Sequence, residues 1–91
     1  MSIQWLFNVI EDRKANPTET SYTSSLFTQG LLKIAQKVGE EGTEVVVAAL
    51  AQDDQRLIEE IADLIFHTLV LLSARGLSPA HIITELEKRH K

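Results

Sequence analysis

KVGEEGTEVVVAALAQDDQRLIEEIADLIFH, residues 37–67, is the stretch that decides the fold. It contains two apolar runs, each carrying two carboxylates three residues apart, and the polar residues 52–54 separate them. Because residues three apart lie on one face of an α-helix, each pair predicts one acidic helix face. If two antiparallel helices meet at residues 52–54, Glu44 faces Glu60 and Glu41 faces Asp63. The sequence therefore predicts a central antiparallel helical hairpin on which four carboxylates converge.

Four like charges at one level of a packed hairpin repel one another unless a cation neutralises them. The cluster offers only carboxylate oxygens, which are the ligands that hard cations prefer. We therefore expect Glu41, Glu44, Glu60 and Asp63 to bind Mg²⁺, with Mn²⁺ as the alternative. Glu40 lies in the same acidic stripe and could bind a second ion or orient water. Glu40, Glu41 and Glu44 are thus the candidate catalytic residues.

Over the whole chain, the sequence predicts an all-α fold of four helices and no convincing strand. The expected helices cover residues 3–14, 31–51, 54–75 and a last segment that starts at Ser78-Pro79, where the N-cap and a proline at the first helical position mark a helix start. The three consecutive valines at 45–47 would also fit a buried strand, but the helical spacing on both sides favours a helix. Residues 16–30 are expected to form a polar connector, in which Leu26 and Phe27 could give a short helical turn.

The composition predicts a single domain, residues 1–91, that is a subunit of a larger assembly. A chain of 91 residues buries a limited core alone, yet 44% of its residues are hydrophobic. This surplus suggests apolar surface that a second copy covers, and we expect a tight homodimeric helical bundle. The absence of cysteine excludes disulfides and cysteine-based zinc sites.

Charge and hydropathy limit the possible partners and the location. A net charge of −4 argues against general nucleic-acid binding. The longest apolar stretch, residues 57–74, carries four ionisable side chains and is unsuited to a membrane span. The N-terminus lacks the basic and apolar regions of a signal peptide. We therefore expect no membrane partner and a cytoplasmic location.

An open carboxylate cradle predicts phosphate chemistry, because Mg²⁺ binds a few carboxylates together with substrate phosphates. Such a metal neutralises developing charge and positions a water for in-line attack. Lys37 and Lys33 precede the acids by one and two helical turns on the same stripe, where they could contact phosphates or simply pair with neighbouring acids. Further candidate substrate contacts, for which helix capping is the alternative, are Arg13, Ser21, Tyr22 and Thr23. His67 is expected to be a core residue or to support a ligand.

The motif over residues 37–46, together with residues 60–67, resembles the all-α nucleoside-triphosphate pyrophosphatase superfamily, whose members include MazG. Within it, the sequence is most similar to the phosphoribosyl-ATP pyrophosphatase family of histidine biosynthesis. Three further stretches carry this narrower similarity: residues 21–23 with Leu26, Phe27 and Gly30, residues 33–37, and residues 76–78. The resemblance extends from about Trp5 to Arg89.

The resemblance implies hydrolysis of the α–β phosphoanhydride of phosphoribosyl-ATP, which gives phosphoribosyl-AMP and pyrophosphate in the second step of histidine biosynthesis. It also implies that the four carboxylates bind Mg²⁺ with assistance from Glu40. The family's homodimers or larger assemblies bind substrate near the subunit interface. Two alternatives are a MazG-like enzyme acting on (deoxy)nucleoside triphosphates and a non-catalytic helical dimer whose acidic residues only solubilise it.

Overall fold

The chain folds into five α-helices and contains no strand, which confirms the predicted all-α class. A computed structural model describes all 91 residues. The helices are α1 (Ile3–Ala15), α2 (Tyr22–Gln29), α3 (Leu31–Ala51), α4 (Asp54–Ala74) and α5 (Pro79–Arg89). The valines at 45–47 lie within α3, so the helical interpretation of that run is correct.

The predicted number of four helices is wrong, because the expected connector contains the eight-residue helix α2. Ser21 caps this helix, since its hydroxyl oxygen accepts a hydrogen bond from the backbone N–H of Ser24 at 3.1 Å. Leu26 anchors it by packing fully buried in the core. Gly30 separates α2 from α3 with a φ of 96°, a backbone conformation that glycine adopts without steric cost.

A single cluster of apolar side chains holds α1 to α4 together. α4 contributes the largest share to this core, because most of its circumference is apolar. The buried members of the cluster are Phe7, Ile10, Leu26, Ile34, Leu69, Val70 and Leu72. Only 14 of the 91 residues are buried, so much of the hydrophobic content remains at the surface of one chain.

The helices α3 and α4 make the most extensive helix–helix contact, and only Gln52 and Asp53 separate them in the sequence. Asp53 caps α4, because its carboxylate accepts a hydrogen bond from the backbone N–H of Arg56 at 2.9 Å. Gly76, with a φ of 70°, follows the other end of α4. This packing brings the two acidic motifs beside each other.

An apolar stripe remains exposed along α4. Ile58, Ile61 and Ile65 lie at helical spacing and are 40–60% exposed. At Ile65 the stripe joins a groove of about 420 Å³ whose walls also include Ile82 and Ile83 of α5. None of the five helices combines the length and the apolar composition that crossing a bilayer requires.

Candidate metal site

Three carboxylates from α3 and α4 converge at one point. One oxygen from each of Glu41, Glu60 and Asp63 lies within 4.8 Å of the other two. Because Mg²⁺ binds oxygens at about 2.1 Å, two ligands on opposite sides of the ion are about 4.2 Å apart. Small side-chain adjustments would therefore place all three oxygens in one coordination shell.

Two of these carboxylates are buried without enough partners. Glu41 and Glu60 are each 5% exposed, and the Oε2 atom of each is buried with no hydrogen-bond partner. A buried carboxylate costs folding free energy unless its charge and its lone pairs are satisfied. Asp63 is exposed and leaves the cluster open on its side. The arrangement therefore fits a hard divalent cation that is reached from solvent.

Lys37 lies next to the cluster on α3. Its Nζ is 3.7 Å from Oε1 of Glu41 and 3.4 Å from Oε2 of Glu40. Partial burial lowers the pKa of Lys37, but Tyr22 and the carboxylates of Glu40 and Glu41 outweigh it, so that this pKa lies above its ordinary value. Lys37 is therefore a protonated cation at neutral pH, one helical turn from a candidate ligand.

Arg56, which was not among the predicted site residues, contacts the cluster from α4. Its guanidinium donates one hydrogen bond to Glu59 and another to Oε1 of Glu60. The hydrogen bond to Glu59 and the neighbouring negative charges raise the pKa of Arg56 further. Hydrogen bonds from Gln55 and Arg56 lower the pKa of Glu59. The i, i+4 spacing of Arg56 and Glu60 is the sequence signal that could have identified this contact.

The two remaining acids of the predicted set are exposed. Glu44 is not among the three converging carboxylates; it lines a shallow depression of about 260 Å³ together with Glu60, Arg56, Val47 and Gln52. Glu40 is held by Lys37 at the edge of the cluster. The structure thus places Glu44 near Glu60, and a ligand role for Glu44 stays a prediction.

His67 links the cluster to α2. Its Nδ1 lies 2.8 Å from the backbone carbonyl oxygen of Asp63, and its Nε2 lies 2.9 Å from the hydroxyl oxygen of Tyr22. Because the carbonyl oxygen can only accept, Nδ1 carries the proton, and in the neutral ring Nε2 accepts from Tyr22. His67 is buried, as a residue that supports a ligand should be. Tyr22, a predicted substrate contact, is thereby held beside Asp63.

The other four predicted substrate contacts fall into two groups: two side chains make local contacts, and two are partly exposed to solvent. Arg13 pairs with its neighbour Asp12 at 2.8 Å, and the Ser21 hydroxyl caps α2. Thr23 and Lys33 are partly exposed. Substrate binding by these four residues stays a prediction.

The fold and the site together define an all-α protein with a buried cluster of carboxylates suited to a divalent metal. The sequence profile of the phosphoribosyl-ATP pyrophosphohydrolase family matches residues 4–90. This match extends over nearly the whole chain, and the protein belongs to that family.

Curated relatives agree with this assignment. The chain is 52% identical over 86 residues to the phosphoribosyl-ATP pyrophosphatase of Clostridium acetobutylicum, covering 94% of this chain and 78% of the relative. It is 53% identical over 88 residues to the phosphoribosyl-ATP pyrophosphatase of Lacticaseibacillus casei, covering 97% and 80%. It is also 49% identical over 83 residues to the histidine biosynthesis bifunctional protein HisIE of Xylella fastidiosa, covering 91% of this chain and 40% of that protein.

Proposed function

We propose that this chain hydrolyses the α–β phosphoanhydride of phosphoribosyl-ATP, giving phosphoribosyl-AMP and pyrophosphate, the second step of histidine biosynthesis. The observation that carries the proposal is the convergence of Glu41, Glu60 and Asp63 in a member of this family. The substrate follows from the names of relatives that are about half identical over nearly the whole chain. We place the reaction in the cytoplasm, as the sequence analysis predicts.

Glu41, Glu60 and Asp63 would hold the metal, with Glu44 as a further ligand at the rim. We propose Mg²⁺, with Mn²⁺ as the alternative, because the donor set consists of carboxylate oxygens alone. When bound, the ion neutralises phosphate charge and lowers the pKa of a coordinated water. The unpaired buried oxygens of Glu41 and Glu60 support this assignment.

The protein's own side chains would bind and orient the substrate. Lys37 provides a positive charge beside the cluster, where it would attract the polyphosphate. Tyr22 is the first residue of α2, and its hydroxyl is hydrogen-bonded to His67. Its ring would contact the substrate. The exposed carboxylates of Glu40 and Glu44 would orient the attacking water and accept its proton. Further contacts are proposed for Lys33, Arg13, Ser21 and Thr23.

We further propose that α3 and α4 form an antiparallel hairpin and that two chains associate as a homodimeric bundle, or as a larger homo-oligomer. The short connection between the helices supports the first part. The exposed stripe of Ile58, Ile61 and Ile65 supports the second, because such a stripe is stabilised when a second apolar surface covers it.

The test is the release of pyrophosphate from phosphoribosyl-ATP in the presence of Mg²⁺, measured beside a panel of ribo- and deoxyribonucleoside triphosphates. We expect turnover of phosphoribosyl-ATP and a loss of roughly a hundredfold or more in Asp63→Asn, because the substitution removes one charge that holds the ion. Glu87→Gln, an exposed change on α5, is the control and should leave turnover unchanged.

Two results would contradict the proposal. Full activity of Asp63→Asn would remove the assigned role of the cluster. A preference for ordinary nucleoside triphosphates over phosphoribosyl-ATP would instead favour the MazG-like alternative.

A further inference from the structure

Arg56 is bound to a carboxylate that is itself a candidate metal ligand. One guanidinium N–H donates to Oε1 of Glu60, and another donates to Glu59 on the solvent side. Glu60 is buried, and its second oxygen has no partner. Arg56 is also the only lysine or arginine between residues 38 and 74, a range that includes most of α3 and the whole of α4.

The two buried carboxylates each have one neighbouring cation. Lys37 lies 3.7 Å from Glu41, beyond hydrogen-bond distance, whereas Arg56 is hydrogen-bonded to Glu60. Together Lys37 and Arg56 provide two positive charges at the cluster, which equals the charge of one divalent ion. Without such cations, the buried like charges would destabilise the packing of α3 against α4.

We propose that Arg56 is a further residue of the metal site: it is the counter-ion of Glu60 through Oε1, and its positive charge opposes a divalent cation that binds through the unpaired Oε2 of the same carboxylate. The inference rests on the proposed function in one respect, namely that Glu60 is a metal ligand. Glu59 also binds the guanidinium and thereby holds its charge beside Glu60. Arg56 therefore lowers the affinity for the metal while it stabilises the carboxylate cluster in the absence of metal.

The experiment is a calorimetric titration of the full chain with Mn²⁺ alone at low ionic strength. Arg56→Gln should bind Mn²⁺ on the order of fivefold more tightly than the unmodified protein, because the guanidinium no longer repels the ion. Without metal, the same variant should melt at a lower temperature. Arg56→Lys keeps the charge but cannot bridge two carboxylates, so its affinity should fall between the other two.

Arg75→Gln is the matched control: Arg75 directly follows α4, about 18 Å from Asp63 along the helix axis, so removing its charge should leave the affinity unchanged. The difference between Arg56→Gln and the unmodified protein should also narrow as salt is raised, because the pair is partly exposed. Unchanged or weaker Mn²⁺ binding by a folded Arg56→Gln would overturn the inference.

The titration separates this inference from the proposed function. If the unmodified protein binds Mn²⁺ and Glu60→Gln abolishes binding, but Arg56→Gln has no effect, only the role of Arg56 is wrong. If the unmodified protein binds no Mn²⁺ at millimolar concentration, both the role of Arg56 and the metal-dependent function are contradicted.

Discussion

At the scale of a single residue, the burial of Glu41 lowers the stability of the fold but favours the binding of a cation. Its carboxylate is buried beside two others, and one of its oxygens has no partner. Lys37 is the only basic neighbour, and it is shared with Glu40. Such an arrangement favours binding a cation over the stability of the empty protein.

We predict that Glu41→Gln stabilises the metal-free protein. The amide keeps the shape and removes one of the repelling charges, and Lys37 retains Glu40 as a partner. The free energy of unfolding should rise by about 1 kcal/mol, which corresponds to about 4–8 °C in melting temperature for a domain of this size. Circular-dichroism melting with a chelator and with Mn²⁺ measures both this rise and the loss of the metal-dependent stabilisation. A lower melting temperature with intact Mn²⁺ stabilisation would show that Glu41 is a structural residue only.

The sequence predicted the convergence of Glu41, Glu60 and Asp63, because the i, i+3 spacing and the polar break determine which faces meet. It did not predict that Glu44 lies outside the group of three. Three residues advance a helix by about 300°, so Glu44 is turned about 60° from Glu41 and lines the exposed depression. Glu60 and Asp63 have the same offset and still converge, so the spacing alone does not distinguish the two pairs. Arg56 was not among the predicted site residues, although its i, i+4 spacing from Glu60 is typical of a helical ion pair.

At the scale of elements, α2 shows where periodicity is insufficient. Apart from Tyr22, its only large apolar side chains are Leu26 and Phe27. These are too few to show a helical repeat. Capping and tertiary contacts form the helix instead. Ser24 is buried, accepts a hydrogen bond from the N–H of Thr18 at 3.2 Å and donates one to the carbonyl oxygen of Arg13 at 3.0 Å. These contacts connect α2 to the end of α1, and sequence spacing does not reveal them.

We predict that Ser24→Ala destabilises the chain by about 1–3 kcal/mol, because it leaves backbone groups of Thr18 and Arg13 without partners. Urea unfolding followed by circular dichroism measures the change. Ser25→Ala is the matched control: the Ser25 hydroxyl donates only to the carbonyl oxygen of Tyr22 in the same helix, and its loss should cost a few tenths of a kcal/mol at most. Equal effects of the two substitutions would contradict the bridging role of Ser24.

At the scale of the whole molecule, the amount of exposed apolar surface is the dominant feature. The composition predicted more apolar surface than one small core can bury, and the structure leaves the α4 stripe and the adjoining groove uncovered. The sequence could not identify which face remains open, because α4 is apolar on most sides and only the packing of α1 to α3 determines its buried face.

We predict that Ile65→Asn weakens self-association, because it places a polar amide at the junction of the stripe and the groove. Sedimentation velocity at micromolar concentration should show a shift toward the monomer, while Ile65→Val should behave like the unmodified protein. An unchanged oligomer in Ile65→Asn would exclude this face as the contact between copies.

The most direct test of the central claim is anomalous diffraction at the manganese edge from crystals grown with Mn²⁺. We expect a peak between α3 and α4, with carboxylate oxygens of Glu41, Glu60 and Asp63 at about 2.2 Å. Binding of Mn²⁺ only elsewhere on the surface, or a peak that Asp63→Asn and Glu60→Gln leave in place, would contradict it.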